Sequence, residues 1–345
     1  MHPILTPSPS HIANTSHCIA TAYPLDTLAV FEARGQDALT FLQGQLTNDI
    51  VSPGIGQSRL AGYCTAQGRL LSTMVLGQAP NSEDVPLVIG MMRQDILSAV
   101  LKRLSMFVLR SKLVLKTIES HVVGVAASQT NVQSLSNVLG HPLPIDEWET
   151  NHASTGIWIA APSSGLNASS GEPLRRWWWM ASSEHHCACE ALSHAFTIGL
   201  PSDWETQDIK TGLPWIESKT QDLFIPQTLN LELIGGVSFT KGCYPGQEIV
   251  ARSHYRGTLK KRMVLGKVSA ESAGILTPGA DIFDVSQSGE PCGRLINVST
   301  EKSGTQVFSW LLFETTFEAL DRQQLSTAAE NGAMIETVAL PYTIR

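Results

Sequence analysis

Apolar and polar positions alternate along this chain in short blocks, and the blocks change period several times. A strand is predicted near Leu28 to Glu32. A short helix follows, with Ala38, Leu39, Phe41 and Leu42 on one side and Gly44 at its end. Two strands near Leu60 to Thr65 and Leu70 to Leu76 flank the turn Ala66-Gln67-Gly68, the pattern of a hairpin. Between 93 and 107, Ile96, Leu97, Val100, Leu101 and Leu104 fall at helical spacing. Strands are expected at Val108 to Lys116 and Val122 to Ala126, and again at Thr155 to Ala160 and Arg176 to Ala181. The stretches 127–153 and 162–173 read as loops.

Helices are expected near 184–198 and 203–211. Ser202-Asp203-Trp204-Glu205 has capping-box spacing for the second, and Gly212 serves as its stop. From Lys260 the texture changes to runs of strand length: Met263 to Val268, Ile282 to Val285, Arg294 to Ser299, Gln306 to Phe313 and Met334 to Leu340. Pro278-Gly279, Ser288-Gly289 and Asn331-Gly332 separate them, which predicts a small β-barrel or sandwich.

The 345 residues are 43% hydrophobic and 16% charged, enough apolar content for two or three packed domains and too much for disorder. No apolar run approaches the roughly 18 residues of a membrane span. Residues 1–25 combine Ser, Thr, His and Pro with no Arg or Lys, so they fit neither a signal nor a transit peptide and read as a flexible tail. Cys18, Cys64, Cys187, Cys189, Cys243 and Cys292 are scattered, which suits a reduced cytoplasmic setting better than a disulfide framework. The formal charge of −7 argues against general coating of nucleic acid, although 241–262 holds six cations against Glu248 alone.

The most concentrated chemistry is Lys241-Gly242-Cys243-Tyr244-Pro245-Gly246-Gln247-Glu248. A thiol between two glycines, beside a lysine and ahead of a predicted helix, is biased toward the thiolate. Arg252, Arg256 and Lys260 follow at intervals of four and are expected to share a helix face able to hold carboxylates or phosphates. In Phe41 to Asp49, an apolar run opens into Gln45, Asn48 and Asp49, whose amides and carboxylate suit the donors and acceptors of a heterocycle.

Two further clusters read as structure. Trp177-Trp178-Trp179 cannot all enter one core, because strand side chains alternate, so one face is expected to stack on a ring-shaped ligand or, the preferred reading, to pack on another lobe. His185-His186-Cys187-Ala188-Cys189 lacks a second ligand pair at zinc spacing, so no metal site is expected. The chain has no P-loop, no dinucleotide fingerprint, no HExxH and no GxSxG.

Together these residues resemble the YgfZ-type folate-binding proteins, relatives of the glycine cleavage T-protein (aminomethyltransferase). The family's signature matches from Lys241 to Glu248. Phe224-Ile225-Pro226-Gln227, Asn230-Leu231 and Gly235 to Phe239 resemble the approach to it. Gly35-Gln36-Asp37-Ala38 with Phe41 to Asp49 resembles the opening motif, and Leu340-Pro341-Tyr342 the ending.

The resemblance implies an α+β, three-lobed cloverleaf fold of T-protein type. A tail at 1–25 would precede two intertwined α/β lobes spanning 26–257 (about 26–117 with 213–257, and about 118–212). A C-terminal β-barrel would fill 258–345. It also implies tetrahydrofolate, or a one-carbon derivative, as cofactor in a central pocket, and a role in assembling or repairing iron–sulfur clusters, including those of tRNA-modifying enzymes. Folate and iron–sulfur proteins are then the expected partners, with tRNA a weaker one and no membrane. Cys243 and Lys241 are the implied reactive pair. Gln45, Asn48, Asp49, Tyr244, Gln247, Glu248, Arg252 and Arg256 are the implied folate contacts.

Two departures from the family pattern bear on activity. T-proteins carry acidic residues after the hairpin turn, whereas Gln67 to Thr73 here contains no carboxylate, so the acid that assists aminomethyl transfer is missing. Pro245 replaces a common Thr and stiffens the loop. A true aminomethyltransferase or demethylating enzyme, and a tRNA- or protein-binding module, are the alternative readings.

Overall fold

The computed structural model describes residues 18–81, 85–163, 165, 171–182, 195–255, 259–269, 276–287 and 290–344. The chain divides into two compact units that interleave along the sequence. The first takes Met1–Leu42, Ile50–Arg59 and Val75–Trp204. The second takes Gln43–Asp49, Leu60–Met74 and Glu205–Arg345. No described helix is long and apolar enough to cross a membrane.

In the first unit, β2 (Leu28–Arg34) pairs antiparallel with both β5 (Leu87–Arg93) and β6 (Val114–Thr117). The sheet order is β3-β4-β5-β2-β6, where β3 is Ser58–Cys64 and β4 is Leu70–Ala79, and Leu60–Met74 of these two strands counts with the second unit. Helix α1 (Ala38–Gln43) follows β2, and α2 (Gln94–Ser105) follows β5. The spacing of Ile96, Leu97, Val100, Leu101 and Leu104 puts all five on the buried stripe of α2, with Asp95 in its first turn and Lys102 and Arg103 in its last, each favourable to the helix dipole.

A six-stranded sheet of this unit runs β11-β1-β7-β10-β9-β8. Its strands are β1 (Ala20–Pro24), β7 (Ser120–Ser128), β8 (Thr150–Ala153), β9 (Gly156–Ala161), β10 (Leu174–Ser182) and β11 (Phe196–Ile198). All three indoles of β10 are buried, and they do alternate. Trp177 and Trp179 join the core with Trp158, which stacks on Trp179 at 5.0 Å and 8°. Trp178 meets Trp148 at 6.0 Å and Trp204 at 6.2 Å. Gly124 of β7 makes the space for Trp204, since a Cβ there would lie 2.3 Å from the indole. The unit's own residues thus cover both faces of the tryptophan strand.

In the second unit, helix α4 (Pro201–Lys210, which the unit shares from Glu205) ends at Gly212 with φ +71°, the stop its sequence predicts. The C-terminal sheet runs β16-β13-β14-β15-β12-β17. Its strands are β12 (Lys261–Ser269), β13 (Asp281–Asp284), β14 (Pro291–Ser303), β15 (Gln306–Thr316), β16 (Leu325–Ser326) and β17 (Glu336–Val338). Among the described residues no ladder joins β16 to β17, so the sheet is half-barrel-like where a barrel was expected. A register shift between Leu295 and Asn297 marks a bulge in β14. Beside it, the Asn297 amide donates to Trp215 O at 2.8 Å and accepts from Trp215 N at 2.9 Å.

Several sequence expectations need correction. Strand β1 lies inside the stretch read as a tail; its pairing with β7 and β11 supplies order that local composition does not. Residues 106–110 are turns rather than the start of a strand, because backbone bonds such as Phe107 N to Leu104 O (2.9 Å) and Ser111 N to Val108 O (2.7 Å) keep the chain coiled. The expected loop 127–153 contains helix α3 (Val132–Leu139), which buries Leu135 and Leu139 and closes on Gly140 at φ +76°. The His185–Cys189 cluster lies outside the described residues.

Candidate functional site

Residues 241–246 lie between the Gly235-Gly236 turn and helix α5 (Gln247–Tyr255), which Gln247 and Glu248 open. The predicted helix opening is present, and glycine fixes it. Gly246 has φ +81°, and a Cβ there would lie 2.5 Å from Thr65 O and 2.6 Å from Gly68 Cα. Gly68, the hairpin-turn glycine at φ +73°, would place its own Cβ 3.1 Å from Ile249. The loop is therefore seated on the β3–β4 turn by a backbone contact that no side chain could enter. On the helix's inner side, Val250 O accepts a bond from the buried Gln227 amide.

Cys243 and Gly242 are exposed, and a Cβ on Gly242 would meet nothing within 4 Å. The thiol is open to a reactant. Cys64, also in this unit, is the opposite case: burial pushes its thiol up to about 12, which makes it inert.

Lys241 turns inward. Its ammonium donates to Gln43 O at 2.5 Å and Leu46 O at 2.8 Å, and it lies 4.7 Å from the centre of the Tyr244 ring. Burial lowers it from an ordinary 10.5 to about 8, partly offset by the Asp49 carboxylate and the Cys243 sulfur. Tyr244 is itself buried, and burial raises its phenol, with a smaller contribution from Cys64. Lys241 thus ties the signature loop to the 43–49 segment.

That segment is held from its other side as well. The Thr47 hydroxyl donates to Gly236 O and accepts from Gly62 N, both at 2.7 Å. The buried Asn48 amide donates to Leu60 O at 2.7 Å and Gly235 O at 2.6 Å, and its oxygen accepts from Asp49 N at 2.8 Å. Asn48 is fully engaged as a clamp. Asp49 is half-buried and accepts from the Gln43 amide at 3.1 Å. Gln45 Oε1 is buried, with no hydrogen-bond partner among the described residues. An unpartnered buried acceptor calls for a donor from water or a ligand.

The candidate residues after the loop separate. Gln247 is half-buried, Glu248 lies exposed in the first turn of α5, and Arg252 is exposed two turns in from Gly246. Arg256 lies outside the described residues. Lys260 lies beyond the described end of the helix at Tyr255, and Arg252 is the member of the expected basic face that falls on the described helix. In the hairpin turn, where no carboxylate stands, the Arg69 guanidinium donates to Leu223 O at 2.8 Å.

The sequence marked Lys241, Cys243 and the 45–49 amides. It did not mark Thr47 or the Gly68–Gly246 contact. The glycine that interrupts each motif was the available signal for that contact. Among the described residues, no group of three or more His, Cys, Asp or Glu is arranged to hold a metal ion.

No family model matches the chain. Its structure is similar to the crystal structure of glycine cleavage system aminomethyltransferase T from Bartonella henselae. The TM-score is 0.64 and the sequences are 14% identical, with 95% of this chain and 87% of that chain covered. At that identity the likeness carries fold and not chemistry. The chain has a mixed α/β fold of the aminomethyltransferase T type.

Proposed function

We propose that this chain is a tetrahydrofolate-binding accessory protein that supports the assembly or repair of iron–sulfur clusters, including those of tRNA-modifying enzymes. One observation carries the reading: on an aminomethyltransferase T fold, the KGCYPGQE loop is fixed by backbone contacts and lysine bonds while its thiol stays exposed.

The residues present fit a reduced pterin. Its amine and ring N–H groups are donors, and Gln45 Oε1 is a buried acceptor in need of one. Gln45 and Asp49 would accept from the ring, Gln247 would lie at its edge, and Arg252 would meet the carboxylates of the glutamate tail, with Arg256 assigned the same role. Asn48 and Tyr244 are better read as supports, since the first has its amide engaged and the second is buried under Lys241. When bound, tetrahydrofolate supplies a carrier for a one-carbon unit. Cys243 offers a soft ligand or nucleophile to an iron–sulfur substrate, and Lys241 holds its loop.

A true aminomethyltransferase is the second reading, and the fold itself favours it. Against it, Gln67 to Thr73 contains no carboxylate to move the proton. Turnover of an aminomethyl or N-methyl donor with tetrahydrofolate would establish that reading instead. The test of the preferred one is calorimetric titration with tetrahydrofolate. A saturable heat and a raised melting temperature are expected; the absence of both overturns the pocket. Cys243→Ala is expected to retain the binding and to lose support of cluster-dependent enzymes in cells.

A further inference from the structure

The first unit carries an unusual surface at the end of α2. From Ile96 to Ile118 the chain has five cations, Lys102, Arg103, Arg110, Lys112 and Lys116, and no Asp or Glu. In the same stretch Met106 is 61% exposed, Phe107 47%, Leu109 88% and Val114 61%. Leu109 also has φ +43°, a left-handed backbone that a leucine adopts only under strain. A large apolar side chain held out in water on strained backbone gains nothing from the fold.

The segment is anchored at Lys112. Asp37 accepts from Lys112 N at 2.6 Å, its own N–H donates to Lys112 O, and a Cβ on Gly35 would lie 2.2 Å from that carbonyl. Lys116 is engaged with Glu32 at 3.2 Å. Lys102, Arg103, Arg110 and Lys112 are exposed, and the described ion pairs include none of them.

We propose that this protrusion is a docking knob for an acidic protein, one that offers an apolar pocket rimmed by carboxylates. Charge complementarity selects an anionic partner. The apolar positions disfavour a simple polyanion: of the four, only Phe107, the least exposed, has a ring to stack on a base, and phosphates offer Met106, Leu109 and Val114 no burial. An extended anionic bilayer is disfavoured because the chain outside this segment carries −12, the total of −7 less the segment's +5. A partner protein meets the knob locally. The inference is independent of folate.

The test uses the full chain with Ser105→benzoylphenylalanine, an exposed position beside the knob, irradiated in the cells that produce it. The expected adduct is with a protein, mapped to a segment where carboxylates flank apolar side chains. Arg110→Glu with Lys112→Glu is expected to lower its yield about tenfold, and Leu109→Asn to do the same. Asparagine tolerates the left-handed backbone, so Leu109→Asn is expected to keep or raise the melting temperature and to leave tetrahydrofolate binding unchanged. No adduct, an adduct with RNA or lipid, or a protein adduct insensitive to the charge reversal overturns the proposal.

Discussion

The tryptophan strand and the cysteine loop are the two densest concentrations of distinctive side chains in the chain, and they have opposite fates. On β10 the strand's alternation sends Trp177 and Trp179 to one face and Trp178 to the other. Both faces are packed within the same unit, so none of the three indoles is left for a ligand. On the 241–248 loop, glycines and a proline leave little to bury. Position is set by backbone contact at Gly246 and by the Lys241 ammonium, so Cys243 stays exposed. Side chains carried on regular elements are absorbed by packing. Side chains carried on a braced loop remain available for chemistry.

The widest separation between the two regions is expected in stability. Trp179→Ala removes a stacked, buried indole that also donates to Thr155 O at 2.7 Å, and should cost about 3–5 kcal/mol in chemical denaturation. A loss under 1 kcal/mol would mean that the strand tolerates a cavity and that the comparison fails. Gly246→Ala should cost about 1–3 kcal/mol, because the new methyl meets Thr65 O and Gly68 while φ remains positive. A neutral result would show that the loop is not seated on the hairpin.

Lys241 sharpens the comparison through pH. Its folded value, about 8, lies below the ordinary 10.5, so between those values the unfolded chain binds more protons. The lysine's contribution to stability is therefore lowest below pH 8 and rises as pH climbs from about 8 toward 10.5. Melting curves of the parent minus those of Lys241→Met should show that rise; a flat difference would deny the burial of the ammonium. The smallest effect belongs to Cys243→Ala, which should change stability by no more than about 0.5 kcal/mol, since the side chain is exposed. A cost above 2 kcal/mol would make Cys243 structural.

Much of this was legible in the sequence because local pattern and final environment agree. Helix α2 was readable from its apolar spacing, and α5 from Gly246 and the polar run after it. Strand β1 was not, since the short segment Ala-Thr-Ala-Tyr-Pro becomes a strand only through its ladders with β7 and β11. Helix α3 was hidden because two buried leucines sit among Gln, Ser and Asn. At the site, residue type showed which groups carry chemistry but not which way they face. Asn48 and Asp49 are adjacent amide and carboxylate, yet Asn48 is fixed between two carbonyls from segments 12 and 187 residues away. Lys241 neighbours Cys243 in sequence, but its ammonium is directed to the end of α1. Only long-range pairing decides such orientations.

The central proposal is that Cys243, exposed on its braced loop, flanks the place where a reduced pterin would bind. Alkylation of the native protein by iodoacetamide, followed peptide by peptide with and without tetrahydrofolate, addresses it most directly. The account predicts rapid modification at Cys243, marked slowing when tetrahydrofolate is present, and no modification at Cys64 in either case. A Cys243 that resists alkylation, or one whose rate ignores tetrahydrofolate, would contradict it.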